Sequence, residues 1–471
     1  MRTSALLLLI TLLIDCRRGE PPPNILLILV DDLGYSDLHC YGNRLVETPN
    51  IDRLAKQGVR FTQAYASCTV CSPTRAAILT GKNPATLNLT DWIPGHQARQ
   101  GPQPHQKFIV PSFNQHLPLE EITVAEKLTE AGYATTSIGK WHLGSDGYLP
   151  TDQGFDLNVA GYRKGSPPSY HYPYTSVRRN DRIHPLELTG DSLYLTDRLT
   201  NEAIRFIEDH NKQPFFLYMP FYNVHTPLQG RPDLVEKYRK VVAGHEGDSI
   251  RRNPEFLAMI ECVDENVGRL IGHLEDLQID QSTLVIFTSD NGGLIIRDGD
   301  DVRASWNYPL RRGKGTLYEG GLRVPAIAYW PGKIEPDRIS EEIIISTDLY
   351  PTILEAAGVG YNHPLEGKSL LPHLVQDEPL QRETLFWHYP HYHRGMPGAA
   401  MREGNYKLIH YYEDDALELY DLDSDPGESD NLAGQYPDRA CSMLRSLEEW
   451  KARQGARMPS PNPDYDPDTR P

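Results

Sequence analysis

The chain has little cysteine and no long apolar segment. Six of its 471 residues are cysteines, namely Cys16, Cys40, Cys68, Cys71, Cys262 and Cys441. So few cysteines, spread so widely, are not the framework of a disulfide-stapled domain. No run of about 18 apolar residues is present, so the sequence predicts no transmembrane span.

Positive charge is also in short supply. Lysine and arginine number 47 against 64 aspartate and glutamate residues, which gives a formal net charge of −17. A nucleic-acid-binding protein needs a basic face, so this class is excluded. An anionic substrate would have to be drawn in by a local basic pocket, while the acidity of the remaining surface serves solubility.

The N-terminus has the layout of a secretory signal. Arg2 precedes an apolar run from Ala5 to Ile14, which is too short to span a membrane. We therefore predict a signal peptide over residues 1–16 and export to the periplasm or the outside of a bacterial cell. Cys16 leaves open a lipoprotein cleavage site with a lipid anchor, although Asp15 stands where a small residue is expected.

Buried strands alternate with helices along most of the chain. Continuous apolar runs at Asn24–Val30, Phe215–Met219 and Leu284–Thr288 are typical of strands covered on both faces. We predict an α/β fold over residues 24–380, with a doubly wound, mostly parallel sheet and helices on both faces. Residues 381–457 read as a smaller C-terminal antiparallel sheet packed by a helix, and residues 458–471 as an extended tail.

Acidic side chains follow two of these strands. Asp31 and Asp32 come directly after the first, and Asp290 and Asn291 follow the strand that ends near Thr288. Ligands in such sheets lie beyond the carboxyl ends of the strands, so we expect the four side chains to meet. Their oxygens suit Ca²⁺ or Mg²⁺. The alternative is that each acid caps the helix after its strand.

Cys71 lies in the segment "CTVCSPTR", at the predicted start of a helix that ends at Gly81. Free N–H groups at a helix N-terminus lower a thiol pKa, and Arg75 is one turn further on, so Cys71 is a candidate nucleophile. Cys68 and Cys71 also form a C-x-x-C pair. A redox or a zinc role stays open on that spacing, but no second ligand pair accompanies it.

The segment "CSPTRAAILTGK" resembles the C-x-P-x-R signature of the sulfatases. Three further motifs, in the family's order, are "GKWHLG" at residues 139–144, "TSDNGG" at 288–293 and "LRRGKGTLYEGGLRVP" at 310–325, and "NILLILVDDLGYSD" is similar to the family's first strand and metal loop. The resemblance covers nearly all the chain from Asn24 onwards.

The resemblance implies a nucleophile that is made after translation. A maturation enzyme would read C-x-P-x-R in the unfolded chain and oxidise Cys71 to Cα-formylglycine (3-oxoalanine). The hydrate of this aldehyde attacks sulfur, and the aldehyde re-forms when sulfate is expelled. One Ca²⁺ would be bound by Asp31, Asp32, Asp290, Asn291 and the modified Cys71.

Other roles also follow from the resemblance. Arg75 would position the diol, and Lys140 would lie beside the sulfate. His142 would be the base for sulfate expulsion, His225 the proton donor to the leaving group, and Lys314 would hold sulfate and the leaving oxygen.

The residues that recognise the substrate are less defined. A serine that contacts sulfate in many sulfatases would correspond to Ser166 or Ser169. The aromatic segment "WHYPHYHRG" contributes His388, His391, His393 and Arg394 as candidates for a substrate rim, and the alternative is a packed hinge between domains.

The sequence thus predicts a sulfatase that acts on a sulfated saccharide. Two alternatives stay open: a phosphonate or phosphate ester hydrolase of the same alkaline phosphatase-like superfamily, and a non-catalytic binder of sulfated glycans.

Overall fold

The computed structural model describes residues 21–176, 181–183, 186, 190, 192–244, 253–295, 304–305 and 307–469. The predicted signal peptide, with Cys16, lies outside the described residues. Among the residues described, no helix has both the length and the apolar character needed to cross a membrane. The five cysteines described are all free thiols, in keeping with the absence of a disulfide framework.

In the described part of the chain, the strands form one large and three small sheets. Their bounds are β1 (Asn24–Val30), β2 (Val59–Tyr65), β3 (Phe108–Ile109), β4 (Ala134–Ile138), β5 (Leu157–Val159), β6 (Thr175–Ser176), β7 (Asp181–Arg182), β8 (Phe215–Pro220), β9 (Thr283–Ser289), β10 (Arg323–Tyr329), β11 (Arg338–Ser340), β12 (Ile344–Ile345), β13 (Thr384–Tyr389), β14 (Gly398–Glu403), β15 (Tyr406–Tyr411), β16 (Ala416–Asp421) and β17 (Ser460–Pro461).

The helices lie on both faces of the large sheet and against the second one. Their bounds are α1 (Pro49–Gln57), α2 (Cys71–Thr80), α3 (His96–Gln100), α4 (Val124–Glu130), α5 (Leu195–His210), α6 (Pro232–Ala243), α7 (Pro254–Asp276), α8 (Glu319–Leu322), α9 (Leu349–Ala356), α10 (Leu371–Gln376) and α11 (Pro437–Gln454).

The large sheet has the strand order β11-β2-β10-β9-β1-β8-β4-β5, and β12 pairs with β2. Strand β10 runs antiparallel to both of its neighbours, and the other pairings are parallel. The predicted α/β fold with a mostly parallel sheet is therefore confirmed.

The central strand β1 shows why the sequence reads as a continuous apolar run. Its residues Ile25 to Val30 have no exposed surface. Ile25, Leu27 and Leu29 pack into a core with α2, α4 and α9, whereas Leu26, Ile28 and Val30 pack into a core with α1, α5 and α7. Helices on both faces require apolar side chains at every position of the strand.

The second sheet consists of the antiparallel strands β13-β14-β15-β16. Helix α11 covers one face with Ala440, Met443, Leu447 and Trp450, and the other face packs against the large domain through Trp387. The predicted small sheet with its helix is confirmed, while the exact domain limits of 380 and 457 remain predictions.

A buried charge cluster joins the two parts. The Nζ of Lys407, on β15, lies 3.0 Å from Glu319 Oε1 and 2.9 Å from Glu428 Oε1, and none of the three residues has exposed surface. Removal of one partner from such a cluster leaves a buried charge without compensation, which costs about 3–5 kcal/mol. The cluster therefore fixes the second sheet against the N-terminus of α8.

The predicted tail, residues 458–471, is bound to the rest of the chain in the part that the structure describes. Strand β17 pairs with β3, which the sequence did not indicate. The side chain of Asn462 is buried and donates from Nδ2 to the carbonyl oxygens of Gln106 and Gln103, at 2.9 and 3.2 Å. The tail thereby holds the segment that follows α3.

Candidate active site

The candidate site begins at the carboxyl ends of β1 and β9. These strands pair in parallel, with Val30 opposite Ser289, so the acidic residues that follow each strand meet at one edge. The backbone N–H of Asp32 donates to Asp290 Oδ1 at 3.2 Å, and Asn291 Nδ2 donates to Asp32 Oδ1 at 2.8 Å. Asp31, Asp32, Asp290 and Asn291 are all buried, and the structure brings them together.

Cys71 lies directly above this group, at the N-terminus of α2. Its Sγ and one carboxylate oxygen each from Asp31 and Asp290 all lie within 4.8 Å of one another. The helix ends where the sequence predicts, because Gly81 adopts the left-handed conformation with φ of 67°. Cys68 belongs to no such group among the described residues, so the metal-capable site uses Cys71 rather than the C-x-x-C pair.

The neighbours of Cys71 hold the surrounding loops in place. The hydroxyl of Ser72 donates to the carbonyl oxygen of His142 at 2.9 Å and accepts from the N–H of Ile93 at 3.2 Å. The hydroxyl of Thr74 accepts from the N–H of Cys68 at 3.0 Å. The side chains of Ser72 and Thr74 thus hold the segments around Cys68, Ile93 and His142 next to Cys71.

Several buried oxygens of the acidic group have no hydrogen-bond partner. Asp31 Oδ1, Asp32 Oδ2 and Asn291 Oδ1 are buried and accept no hydrogen bond from any residue that the structure describes. Buried oxygens are normally satisfied, so three such atoms in one place indicate a missing partner with positive charge. Hard oxygen donors with one cysteine fit a hard divalent cation once the cysteine offers oxygen instead of sulfur.

Three cations lie against the three carboxylates. Lys140 Nζ lies 2.6 Å from Asp31 Oδ2, Lys314 Nζ lies 2.6 Å from Asp32 Oδ1, and Arg75 Nε donates to Asp290 Oδ2 at 2.8 Å. Three negative and three positive groups balance one another. A bound divalent cation would leave the site with net positive charge, and this favours an anionic ligand.

The pKa values of Asp31 and Asp32 are shifted in opposite directions, although the nearest lysine lowers the pKa in both cases. Burial raises the pKa of Asp31 well above its usual range, even though Lys140 opposes this shift. Burial also acts to raise the pKa of Asp32, but Lys314 and then His225 outweigh it, and the pKa is lowered. The pKa of Lys314 is raised, because Asp32 more than offsets the effect of burial.

His142 has one defined tautomer. Its Nε2 lies 2.6 Å from the carbonyl oxygen of Ile93, which can only accept, so Nε2 carries the proton. Its Nδ1 therefore presents a lone pair to Cys71 Sγ at 3.2 Å. Burial first, and Lys140 next, lower the pKa of His142 well below its usual value, so the ring is neutral. Gly165 packs against this ring so closely that a Cβ there would overlap it.

His225 lies on the other side of the acidic group. Its Nδ1 donates to the carbonyl oxygen of Thr226 at 2.8 Å, which leaves Nε2 facing Asp32 Oδ2 at 3.7 Å. Burial lowers the pKa of His225 to about 3, although Asp32 opposes the shift. The side chain is 18% exposed and borders open space.

That open space is a cleft of about 940 Å³ above Cys71. Such a volume is at the upper end of ligand pockets and exceeds the size of a sulfate group. The cleft combines predicted and unpredicted residues. Its polar and charged lining includes Cys71, His142, His225, Lys314, Ser166, His393 and Arg394, and also Trp92, His96, Arg99, Arg163, Lys164 and Asp181.

Half of the predicted substrate rim lies elsewhere. Ser169 Oγ is bound to Gln229 at 3.2 Å, outside the cleft lining. His388 contacts Tyr412 Oη at 2.8 Å and the carbonyl oxygen of Arg457 at 2.9 Å. The side chains of Ser169 and His388 therefore form hydrogen bonds within the fold and do not line the cleft.

His391 is also buried away from the cleft lining. Its Nε2 lies 2.8 Å from Thr90 Oγ1, and its ring packs edge-on to Phe113. The hinge alternative thus describes His388 and His391 better than the rim interpretation. Ser166, His393 and Arg394 do reach the cleft.

Residues 91–99 contribute Trp92, His96 and Arg99 to the cleft lining, and these residues were not predicted from the sequence. Within this segment, the side chain of Asp91 is buried and accepts a hydrogen bond from Tyr389 Oη at 2.8 Å. Burial raises the pKa of Asp91 to about 8. Trp92 and Arg99 line the cleft, and the guanidinium carbon of Arg99 lies 5.8 Å from the centroid of the Trp92 indole ring. This segment contains no strand and only the five-residue helix α3, so no periodic pattern marked it.

Two family models match the chain. The model described as Sulfatase matches residues 23–359, and the model described as N-sulphoglucosamine sulphohydrolase, C-terminal, matches residues 312–452. The first match contains every residue of the acidic group and Cys71, and the second contains the small sheet.

Individual relatives agree with these matches. Arylsulfatase A of Homo sapiens is 35% identical over 91% of this chain and 87% of that protein, and a sulfatase of Formosa agariphila is 33% identical over 92% and 89%. The crystal structure of Ps i-CgsB in complex with k-i-k-neocarrahexaose has a TM-score of 0.75 and 28% identity, with 91% of this chain and 93% of that chain covered.

Proposed function

The chain belongs to the sulfatase family and is thus a sulfuric ester hydrolase, and from this premise we propose that it removes sulfate from a sulfated carbohydrate with a formylglycine made from Cys71. The observation that carries the proposal is the convergence of Cys71, Asp31 and Asp290 within 4.8 Å. Unpartnered buried oxygens and three cations surround the same point.

The proposed metal is one Ca²⁺ per chain. Asp31, Asp32, Asp290 and Asn291 would bind it with their side-chain oxygens, together with the modified Cys71. When bound, the ion supplies positive charge that acidifies a neighbouring hydroxyl and offsets the charge of a sulfate group. It also provides the partner that the three unsatisfied oxygens lack.

The proposed modification changes what residue 71 can do. A formylglycine hydrate offers one hydroxyl as nucleophile and a second one whose deprotonation expels sulfate, which a thiol cannot do. Every residue of α2 is buried in the folded chain, Pro73 and Arg75 included. A maturation enzyme must therefore reach the C-x-P-x-R segment before the domain folds.

His142 is placed to remove the proton in the expulsion step. Its Nδ1 lone pair faces the side chain of residue 71, and its Nε2–H is fixed on Ile93. The neutral ring can accept a proton without a change of tautomer. Arg75 donates to Asp290 and also to the carbonyl oxygen of Lys140, at 2.8 Å each, so it holds the surrounding backbone and would position the hydroxyls.

His225 and Lys314 lie where the leaving oxygen would be. The low pKa of His225 means a neutral ring without ligand. The negative charge of a sulfate ester close to Nε2 would raise this pKa, so that the ring can carry the proton that the alcohol takes. Lys314 would bind the sulfate and the leaving oxygen, and Lys140 would bind the sulfate, as fixed positive charges.

The carbohydrate part of the proposal has two supports. N-acetylgalactosamine-6-sulfatase of Canis lupus familiaris is 35% identical over 83% of this chain, and the structure of Ps i-CgsB is in complex with an oligosaccharide. The volume of the cleft, about 940 Å³, also leaves room for sugar around a bound sulfate.

We also propose that the chain is exported, from the signal-like layout of residues 1–16. We further propose that a maturation enzyme oxidises Cys71 to formylglycine and that Cys16 carries a lipid anchor. Radiolabelled palmitate incorporation by wild-type chain, but not by Cys16→Ser, would support the anchor, whereas equal labelling of both would reject it.

A direct test compares two chromogenic esters. The chain is produced with a formylglycine-generating enzyme, loaded with calcium, and assayed on 4-nitrophenyl sulfate and 4-nitrophenyl phosphate. We expect sulfate hydrolysis that a chelator removes and calcium restores, and no hydrolysis by a folded Cys71→Ala variant. Preference for the phosphate ester would reject the proposal.

Mass spectrometry tests the nucleophile itself. The peptide that contains Cys71 should show the aldehyde in active protein and the thiol in protein made without the maturation enzyme. An intact thiol in fully active protein would contradict the mechanism.

A further inference from the structure

The cleft carries a surplus of positive charge that the proposed mechanism does not use. The chain as a whole has a net charge of −17, yet Arg99, Arg163, Lys164, Lys314 and Arg394 line this one cleft, and Asp181 is the only acidic residue among the described residues of the lining. Lys314 is bound to Asp32, and Lys164 pairs with Asp181. Among the described residues, Arg99, Arg163 and Arg394 form no ion pair.

Two of these arginines flank an aromatic wall made of His393, His96 and Trp92: Arg394 follows His393 in the sequence, and the guanidinium carbon of Arg99 lies 5.8 Å from the Trp92 ring centroid. His393 packs on Gly315, the residue after Lys314, so closely that a Cβ there would overlap its ring. The ring of His393 lies 4.9 Å from His96, and His96 lies edge-on to Trp92 at 5.4 Å. The wall thus leads from Lys314 to Arg99.

The charges along the wall act on the histidines between them. Burial lowers the pKa of His96, and Arg99 and then Arg394 lower it further. Burial, followed by Lys314, lowers the pKa of His393 well below its usual value. Both rings are therefore neutral, and the permanent positive charges of the wall are its two arginines.

Arg99 and Arg394 both line the cleft, both act on the same ring, His96, and the described residues supply no acid to neutralise them. An anion bound by both side chains would supply the missing negative charge, and guanidinium groups bind sulfate and carboxylate in a bidentate way. The neutral rings and Trp92 offer the flat apolar and hydrogen-bonding surface that a sugar ring requires.

We propose that this wall binds a second anionic group of the substrate, a sulfate or a carboxylate on the sugar next to the one whose sulfate ester is cleaved, through Arg99 and Arg394. The inference rests on the proposed function, because it places the cleaved ester at Cys71 and Lys314. It makes the substrate a saccharide with at least two negative groups on neighbouring units.

Calorimetric binding to the calcium-loaded Cys71→Ala chain tests the inference without turnover. The probes are galactose 6-sulfate, with one anionic group, sucrose octasulfate, with several, and a disaccharide with one sulfate and one uronate carboxylate. We expect galactose 6-sulfate to bind at least about tenfold more weakly than one of the other two, since each exposed charge pair adds up to severalfold.

The double substitution Arg99→Ala/Arg394→Ala, in the same background, should reduce this preference to about threefold or less and weaken its dependence on salt. Arg445→Ala removes the same charge from the exposed side of α11 and should leave the preference unchanged. Thermal unfolding of each variant establishes that it is folded.

The outcomes separate the possible sources of the second charge. A loss of preference for sucrose octasulfate alone identifies a second sulfate, and a loss for the uronate disaccharide identifies a carboxylate. Equal binding of all three probes by the parent chain, or a preference that survives the double substitution, would overturn the inference. Hydrolysis of 4-nitrophenyl sulfate by wild-type enzyme is measured separately, so failure of the proposed function is recognised by its absence.

Discussion

The Nδ1 atom of His142 lies 3.2 Å from the Sγ atom of Cys71, with its lone pair directed at the sulfur. The relationship depends on a third atom, because Nε2 of the same ring donates to the carbonyl oxygen of Ile93. A neutral base is thus held in one tautomer next to the residue that would become the nucleophile. This arrangement suits removal of a proton from a hydroxyl on residue 71.

Replacement of His142 by alanine should slow expulsion of sulfate more than its capture. General-base catalysis contributes about 10²–10⁴-fold, so we expect kcat to fall by that factor. Rapid-mixing assays with 4-nitrophenyl sulfate should show a burst of nitrophenol followed by a slow steady state, and the sulfated protein should be visible by intact mass.

The exposed His39 provides the matched control, because its substitution by alanine removes a histidine away from the site. A His142→Ala enzyme with no burst and no accumulated sulfated chain would show that the base acts at another step.

Replacement of Lys314 by alanine should lower kcat by about 10²–10³-fold, since a fixed positive charge at a developing oxyanion is worth that much. Without the metal, the same substitution leaves the buried Asp32 carboxylate without its closest cation, so thermal stability should also fall. Calcium should recover a large part of the stability but not the activity. Lys240, which is 75% exposed, provides a control substitution. Full activity of the Lys314→Ala variant would contradict the proposed catalytic role of Lys314.

Asp91 predicts a pH effect on stability. Its pKa is raised by burial to about 8, against about 3.9 for an unfolded aspartate. The folded chain therefore binds more protons than the unfolded chain between these values, and the contribution of Asp91 to the free energy of unfolding is complete below pH 4 and lost as the pH rises to about 8.

The variant Asp91→Asn should keep the hydrogen bond from Tyr389 and lose this pH dependence. We expect it to unfold at a higher temperature than wild type at pH 8, and this difference should become much smaller as the pH is lowered towards 4. Asp468→Asn, in the exposed tail, serves as the control. Parallel pH profiles for Asp91→Asn and wild type would show that Asp91 is ionised in the folded state.

The side chain of Asn462 should hold residues 103–110, the segment that follows α3. Its replacement by alanine removes one of two donors to the carbonyl oxygen of Gln103 and leaves that of Gln106 without its donor, which costs about 1–3 kcal/mol. Hydrogen exchange of residues 103–110 should become faster, while exchange in the large sheet should stay unchanged. The exposed Asn362 provides the alanine control. Unchanged protection of residues 103–110 would mean that the tail does not hold this segment.

The sequence was most informative where backbone geometry alone decides the outcome. Asp31 and Asp290 meet because β1 and β9 are parallel neighbours, and parallel strands bring their carboxyl ends to one edge. Cys71 begins its helix because Pro73 suits the first turn and Gly81 can end it. The family motifs added the expected roles of Lys140, His142 and Lys314, and the structure places all three beside these residues.

Side-chain direction was harder to predict. Trp387 and His388 are adjacent in β13 and so point to opposite faces: the indole donates to the carbonyl oxygen of Ala66, and the imidazole faces Arg457. From the sequence of an aromatic, histidine-rich segment alone, one cannot predict which of its side chains reach a cleft. Arg99 lies in a segment without periodicity, and its guanidinium group lies over the ring of Trp92.

The pairing of β17 with β3 has a practical consequence for recombinant work. A purification tag attached after the C-terminal tail would lie close to the strand that pairs with β3, and shortening the chain to the end of α11 would remove the partner of β3, in the segment that follows the cleft residues His96 and Arg99. Kinetic constants for large saccharides should therefore come from protein tagged at its other end, downstream of any cleaved leader, or from protein freed of its tag.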